Sequence, residues 1–470
     1  MQLPRFMLSA TSSGSGKTMI TCGILQALLE RGRRPVAFKC GPDYIDPMFH
    51  ARVLGTPSRN LDTFFTDEGM TRYLFARGAQ EGELSVMEGV MGYYDGLGGT
   101  STRGSAYDLA RVTKTPVILI VDARGMSVSS LALLKGFLTY QSDSGIEGVI
   151  FNQTSQGMYR ELAEMVKEEL GIRPLGYVPR VPDMAIESRH LGLVLPGEVE
   201  DLKGKLKRLA AIFEETLDLD GILNLAGSAP DLSCERPGCL DLLYKDAGTD
   251  RIRAAAPVVA VAKDDAFCFI YEDNLKLLED LGARIAYFSP LCDRSLPEGS
   301  QGLLLSGGYP ELFAEQLEKN TSMRQEILRA IKSKMPVMAE CGGFMYLHET
   351  MEDMEGRKFA GVGAVEGRAY YTGKLTRFGY IGLKTNRKGI LGSRCTALKG
   401  HEFHYFDSTS CGESFTAEKP LRSRSWKCIH ASGRTLMGFP HLYYHADPRL
   451  AADFLKECVK YAEESGGEVK

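Results

Sequence analysis

Apolar, β-branched runs punctuate the first half of the chain at 6–8, 35–38, 84–87, 116–121 and 148–151, and helical spacing fills the gaps between them. The clearest helical pattern covers 19–29, where Ile20, Ile24, Leu25 and Leu28 fall on one face. Continuous rather than alternating apolar runs, each followed by a helix, predict a parallel sheet with crossover helices. The pattern breaks down over 221–256, in a stretch of Gly, Pro, Ser, Asp and Cys, and then restarts. Strands are predicted at 258–261, 284–288, 302–305 and 336–339, and helices at 274–281 and 324–333. A closing helix over 447–464 carries Pro448 in its first turn and apolar positions at Leu450, Phe454, Leu455 and Val459. The expectation is two doubly wound, mostly parallel α/β domains, 1–225 and 256–470, joined by a linker at 226–255. No internal repeat relates them.

Length agrees, since 470 residues exceed one ordinary core. A net charge of −4 announces no polyanion-binding surface, so nucleic acid is not an expected partner. No apolar run is long enough for a membrane span, and Met1–Pro4 leads straight into a strand, so a cytoplasmic chain without a membrane partner is expected. Eleven cysteines without a C-x-x-C pair point to reduced thiols, and Cys234 with Cys239 lacks a second pair that would make a zinc site.

Candidate chemistry begins at the first strand–helix junction, Ala10-Thr11-Ser12-Ser13-Gly14-Ser15-Gly16-Lys17-Thr18. Small residues there let the N–H groups of Ser13, Gly14, Ser15 and Gly16 turn onto a nucleotide's phosphates. Lys17 supplies charge and the Thr18 hydroxyl a ligand for Mg²⁺. The usual first glycine of such a loop is Thr11 here. Threonine resists positive φ, so the loop must begin by another route. Lys39, Asp43 and Asp46 follow the second predicted strand, Glu88 caps the third and Asp62 lies in Asn60-Leu61-Asp62 of the same domain, a set suited to metal and phosphate ligands.

Three stretches are more specific: Lys39-Cys40-Gly41-Pro42-Asp43-Tyr44-Ile45-Asp46-Pro47, Glu88-Gly89-Val90-Met91-Gly92 and Val121-Asp122-Ala123-Arg124-Gly125-Met126-Ser127. They resemble the cobyrinic acid a,c-diamide synthase family of corrin-pathway amidotransferases. The resemblance implies a P-loop NTPase-like amino-terminal domain similar to dethiobiotin synthetase. It also implies ATP on the loop, Mg²⁺ held by Thr18, Asp62 and Glu88, and phosphorylation of a tetrapyrrole carboxylate. By the same analogy Asn152 contacts the nucleobase, and the protein is a homodimer.

In the second half, Met338-Ala339-Glu340-Cys341-Gly342-Gly343 sets a cysteine between a strand and a helix start. Such an elbow exposes the side chain to the helix N-terminus, which favours a thiolate. The Gly342 N–H and one from Gly307 or Gly308, in Ser306-Gly307-Gly308-Tyr309-Pro310-Glu311, form an expected oxyanion hole. A thiolate nucleophile wants an imidazole. Spacing alone leaves His441 and His445 open: His445 has Asp447 two residues on, whereas the family motif falls on His441 and supplies no acidic third member. His401 and His404 also match the family near its second site. With this domain similar to class I glutamine amidotransferases, the resemblance implies ATP- and glutamine-dependent amidation of the a and c acetates of cobyrinic acid. Amidation of nickel sirohydrochlorin is the nearest alternative. A partitioning-type ATPase is more remote, because it requires no Cys341 elbow.

Overall fold

The computed structural model describes residues 1–181, 196–396 and 398–466. The chain divides into two units, Met1–Arg236 and Pro237–Lys470. The division falls inside the 226–255 segment expected to be a linker. That segment is not featureless, because helices Gly238–Tyr244 and Ala247–Ala255 occupy its second half. Pro237 and Asp246 sit at the starts of these helices. The helices are too short to show a period, so their start residues read as loop.

In the first unit, β1 (Arg5–Ala10), β2 (Pro35–Cys40), β3 (Ser58–Leu61), β4 (Leu84–Glu88), β5 (Val117–Asp122), β6 (Ile146–Asn152) and β7 (Arg173–Val178) form one sheet. Their order is β3-β2-β4-β1-β5-β6-β7, with all neighbours parallel. The five strands read from apolar runs are the inner ones. The two missed, β3 with Ser-Arg-Asn and β7 with Pro and Gly, are the edges, where one side of the strand needs no apolar neighbour. β1 lies between β4 and β5, the point where strand order reverses, so the loop after β1 opens into a crevice at the carboxyl edge.

The helix Lys17–Glu30 behind that loop buries Ile20, Ile24, Leu25 and Leu28 in one core with Leu206, Leu209 and Phe213 of the helix Pro196–Thr216. Gly23 permits the close approach, since a Cβ there would overlap Phe213 and Leu209. Burying a side chain such as Phe213 is worth about 1.5–3 kcal/mol, so this packing fixes the helix start that carries Lys17.

The second unit has β8 (Val258–Ala262), β9 (Arg284–Phe288), β10 (Ser300–Leu305) and β11 (Val337–Glu340), with the strand Thr435–Gly438 parallel to β11. Its sheet is parallel except for the short edge strand His430–Ala431. Two further sheets occupy 348–442, one mixed and four-stranded, the other antiparallel and five-stranded. The sequence reading missed both. Their strands are short and partly exposed, as in Arg377–Lys384, and carry no continuous apolar run. The chain closes with the helix Arg449–Glu464, one residue after Pro448, burying Leu450, Phe454, Leu455 and Val459. Among the described residues no helix is long and apolar enough to cross a membrane.

Candidate functional sites

The loop after β1 solves its missing glycine by staying on the sheet: the Thr11 N–H donates to the Ile120 carbonyl at 3.3 Å. Positive φ is deferred to Gly14 (77°) and Gly16 (89°). Gly16 caps the helix Lys17–Glu30, and a Cβ on it would strike the Asn152 amide. The Asn152 Nδ2 donates to the Ser15 carbonyl at 2.9 Å, and its Oδ1 accepts from the Gln153 N–H. Asn152 therefore braces the loop through the Ser15 carbonyl.

Lys17 is buried and donates to the Ser12 carbonyl at 3.1 Å and the Met91 carbonyl at 2.5 Å. Burial, aided by the Lys39 charge, pulls its pKa down to about 8. The Thr18 hydroxyl donates to Glu88 Oε1 at 2.7 Å, and Lys39 Nζ reaches the same oxygen at 2.8 Å. Lys39 also pairs with Asp46, with Asp43 at 4.0 Å. Burial disfavours the Lys39 ammonium, yet Glu88, Asp46 and Asp43 together hold its pKa above the ordinary value. Burial and then the Asp46 charge push Glu88 up to about 7 and Asp43 up to about 6. Asp46 moves the other way, because Lys39 outweighs its burial.

This places Thr18, Lys39, Asp43, Asp46 and Glu88 in one cluster. The sequence reading missed a further member: His50 Nε2 lies 3.6 Å from Glu88 Oε2, and neither atom has a hydrogen-bond partner among the described residues. Asp62 stands after β3, two strands from Glu88, where its Oδ1 accepts from the Phe64 and Phe65 N–H groups at 2.7 and 3.2 Å.

In the second unit Cys341 is the N-cap of the short helix Gly342–Tyr346, with φ 46° and ψ −105°. Its N–H donates to the Gly438 carbonyl, tying the end of β11 to the end of Thr435–Gly438. A non-glycine residue at positive φ stores about 1–3 kcal/mol, so the elbow is held by its surroundings. A Cβ on Gly342 would lie 3.1 Å from the Gly308 N, so the two glycine loops are in contact. Gly308 has φ 157°, while Gly307 leaves room for the His441 ring, which a Cβ there would overlap.

The expected low thiol pKa is not what the surroundings impose. Burial, with the charges of Glu311 and Glu402, raises the Cys341 pKa well above the ordinary value, and the Gly342 N–H only partly offsets this. A five-residue helix adds little dipole to a buried, acid-lined site. The proton must therefore be taken by a base.

His441 follows Thr435–Gly438 and pairs across the antiparallel sheet with His401, whose ring stacks on it at 5.0 Å and 24°. Burial, reinforced by His401 and His404, keeps its pKa well below 6.5 and the imidazole neutral. Glu340 Oε2 lies 3.8 Å from His441 Nδ1, so an acidic neighbour exists where none was expected. Burial pushes Glu340 up to about 8, and its Oε1 has no hydrogen-bond partner among the described residues. A glutamate at the last position of β11, directly before Cys341, was the available signal in the sequence.

His404 stacks on Phe439 at 4.2 Å and its Nδ1–H donates to the Phe406 carbonyl at 2.6 Å. His445 is buried beside Tyr443, and Asp447 receives the Arg449 guanidinium and the Thr396 N–H.

Residues 6–194 match the family described as the CobQ/CobB/MinD/ParA nucleotide binding domain, and residues 258–436 match the CobB/CobQ-like glutamine amidotransferase domain. The cobyrinate a,c-diamide synthase of Caldanaerobacter subterraneus subsp. tengcongensis is 37% identical over 461 residues, covering 97% of this chain and 98% of that protein. The synthase of the same name from Dehalococcoides mccartyi strain 195 is 36% identical over 464 residues, 97% of this chain and 98% of its own. That of Thermoplasma volcanium is 34% identical over 468 residues, 98% and 99% of the two chains. A nucleotide-binding unit and a glutamine amidotransferase unit in this order, matched end to end, place the chain in the cobyrinate a,c-diamide synthase family of glutamine amidotransferase-type ligases.

Proposed function

We propose that the first unit transfers the γ-phosphoryl group of ATP to an acetate carboxylate of cobyrinic acid, and that ammonia freed from glutamine in the second unit displaces the phosphate. The reading is carried by one observation. A single chain holds both a phosphate loop whose Thr18 bonds Glu88 and an elbow cysteine, Cys341, whose Gly342 adjoins Gly308 while His441 packs against Gly307.

A carboxylate resists amines because oxide is a poor leaving group. Attack of the carboxylate oxygen on the γ-phosphorus releases ADP and gives an acyl phosphate. Ammonia then adds to the carbonyl carbon and inorganic phosphate leaves, forming the amide. The main-chain N–H groups of 13–16 and the Lys17 ammonium balance charge on the transferring phosphoryl. A Mg²⁺ ion fits the oxygen donors of Thr18 and Glu88, a hydroxyl and a carboxylate oxygen that stand 2.7 Å apart at the start of the helix after the loop. Bound there, it would neutralise phosphate charge. Asp62, stiffening the turn after β3, joins this set on the family resemblance. Lys39 fixes Glu88 and Asp46 against each other, so the acids keep their places before nucleotide arrives.

In the second unit Cys341 Sγ attacks the glutamine side-chain carbonyl as His441 takes its proton. The oxyanion meets the N–H groups of Gly342 and Gly308, and His441 returns the proton to the departing ammonia. Water, deprotonated by the same imidazole, then cleaves the thioester and releases glutamate. His441→Ala should lower glutaminase turnover by about 10²–10⁴-fold. His445→Ala, measured beside it, should stay within about threefold of the parent; the reverse ranking would exchange their roles.

The pH dependence has a definite sign. A neutral imidazole is the active form, and His441 is held below the ordinary histidine pKa, so the base remains available as pH falls through 6.5. Glutaminase kcat/KM should accordingly lose its acid limb only below that value, and a limb centred at the ordinary value would contradict the assignment. For the acceptor, mass spectrometry after incubation with ATP, Mg²⁺ and glutamine should find two new amides on cobyrinic acid. Amides on nickel sirohydrochlorin instead would transfer the reading to that macrocycle.

A further inference from the structure

A cavity of about 530 Å³ lies in the first unit between the loop around 94–102 and the helix Ser129–Tyr140. We infer that the flat face of the acceptor macrocycle rests in this cleft, an inference that depends on the reading above that a tetrapyrrole is the acceptor.

The first observation is a fixed aromatic wall. Tyr94 stacks on Phe137 at 5.6 Å and 29°, Tyr140 joins it at 4.9 Å, and the Tyr94 hydroxyl donates to the Phe137 carbonyl at 2.6 Å. Behind Tyr94 pack Tyr93 and Tyr107, whose hydroxyls donate to the Ser144 carbonyl and to Asp143. Rings locked this way present an offset-stacking surface to a planar conjugated ligand at little entropic cost. Tyr140 remains 64% exposed although its ring packs against Tyr94, which leaves it open to a ligand.

Gly136 is the second observation. It sits inside the helix, where glycine weakens the structure, yet its φ is not positive and no atom of the described residues lies within 4 Å of where its Cβ would be. Neither close packing nor backbone geometry asks for it. What glycine does supply is a floor without a side chain, on the face that the cleft opens over.

Continuity with the phosphate loop fixes the occupant. Asp95, on the cleft rim, accepts from the Gly92 N–H at 3.0 Å, in the same turn whose Met91 carbonyl takes the Lys17 ammonium at 2.5 Å. A ring lying on the wall can direct an acetate arm along this turn toward Lys17. Thr100, Ser101 and Thr102 also line the cleft and bring hydroxyl groups suited to other carboxylates. The volume falls in the range of about 300–1,000 Å³ typical of cofactor-sized sites.

Gly136→Leu fills the cleft while improving helix propensity, and Tyr140→Ala removes an exposed ring, so both variants of the full chain should fold. Cobyrinic acid binding is followed by the shift in its visible absorption, and its KM with ammonium as nitrogen source. Gly136→Leu should raise both constants about tenfold or more and Tyr140→Ala about fivefold. The KM for ATP, glutaminase turnover and sedimentation behaviour should not change. Unaltered macrocycle constants in folded Gly136→Leu overturn the inference, as does a change of its sedimentation state, which would make the cleft a contact between copies of the chain. A parent protein that fails to amidate any macrocycle overturns the acceptor reading itself, a result separable from unaffected variants of an active parent.

Discussion

Cys341→Ala is expected to abolish glutamine-supported amide synthesis, by about a thousandfold or more, while ammonium-supported synthesis stays within about twofold of the parent. The asymmetry follows from where the residue stands. Cys341 belongs to the second unit's own sheet, at the junction of β11 and its helix, and the phosphoryl chemistry proposed for Lys17 and Thr18 needs only free ammonia. Paired initial rates with glutamine and with an ammonium salt decide the matter. Loss of both activities in a folded variant would refute the division of labour between the units. The backbone provides a companion test. Cys341 holds φ 46°, so Cys341→Gly should melt higher than Cys341→Ala, by the order of 1 kcal/mol, although both lack the thiol. Equal melting temperatures would show that the elbow carries no strain.

What the sequence disclosed follows from what each element buries. β1, β2, β4, β5 and β6 are inner strands of a parallel sheet and must be apolar on both faces, so they stand out as runs. β3 and β7 are edges, and the sheets between 348 and 442 alternate buried and exposed positions over only a few residues, so neither leaves a legible mark. The same contrast governs the sites. Lys17, Thr18 and Cys341 are legible because the loops that aim them require small residues at fixed offsets. His50 beside Glu88 and the His401–His441 stack are brought together by strand register and crossover, in which local sequence has no part. Even the charge state of Cys341 depends on Glu311 and Glu402, one from the loop after β10 and the other from an antiparallel strand, which no local reading of the elbow would pair with it.

Lys17→Met should lower amide synthesis by about 10²–10⁴-fold from either nitrogen source, leaving glutaminase turnover in the second unit unchanged. In the present structure the ammonium is satisfied by the Ser12 and Met91 carbonyls, which are uncharged, and burial has already lowered its pKa to about 8. A phosphate offers a buried ammonium far more than two carbonyls can, so nucleotide should draw Lys17 away from Met91 and strengthen its charge. Methionine keeps the length and apolar stem of the side chain but has no donor. The two carbonyls then lose a partner at about 1–3 kcal/mol if they stay buried, so the variant should also melt lower. That penalty belongs to the unliganded protein. The diagnostic measurement is therefore nucleotide protection: ATP with Mg²⁺ should raise the melting temperature of the parent and leave that of Lys17→Met where it was. Equal protection of the two proteins would remove Lys17 from the phosphate site, whatever happened to the rate.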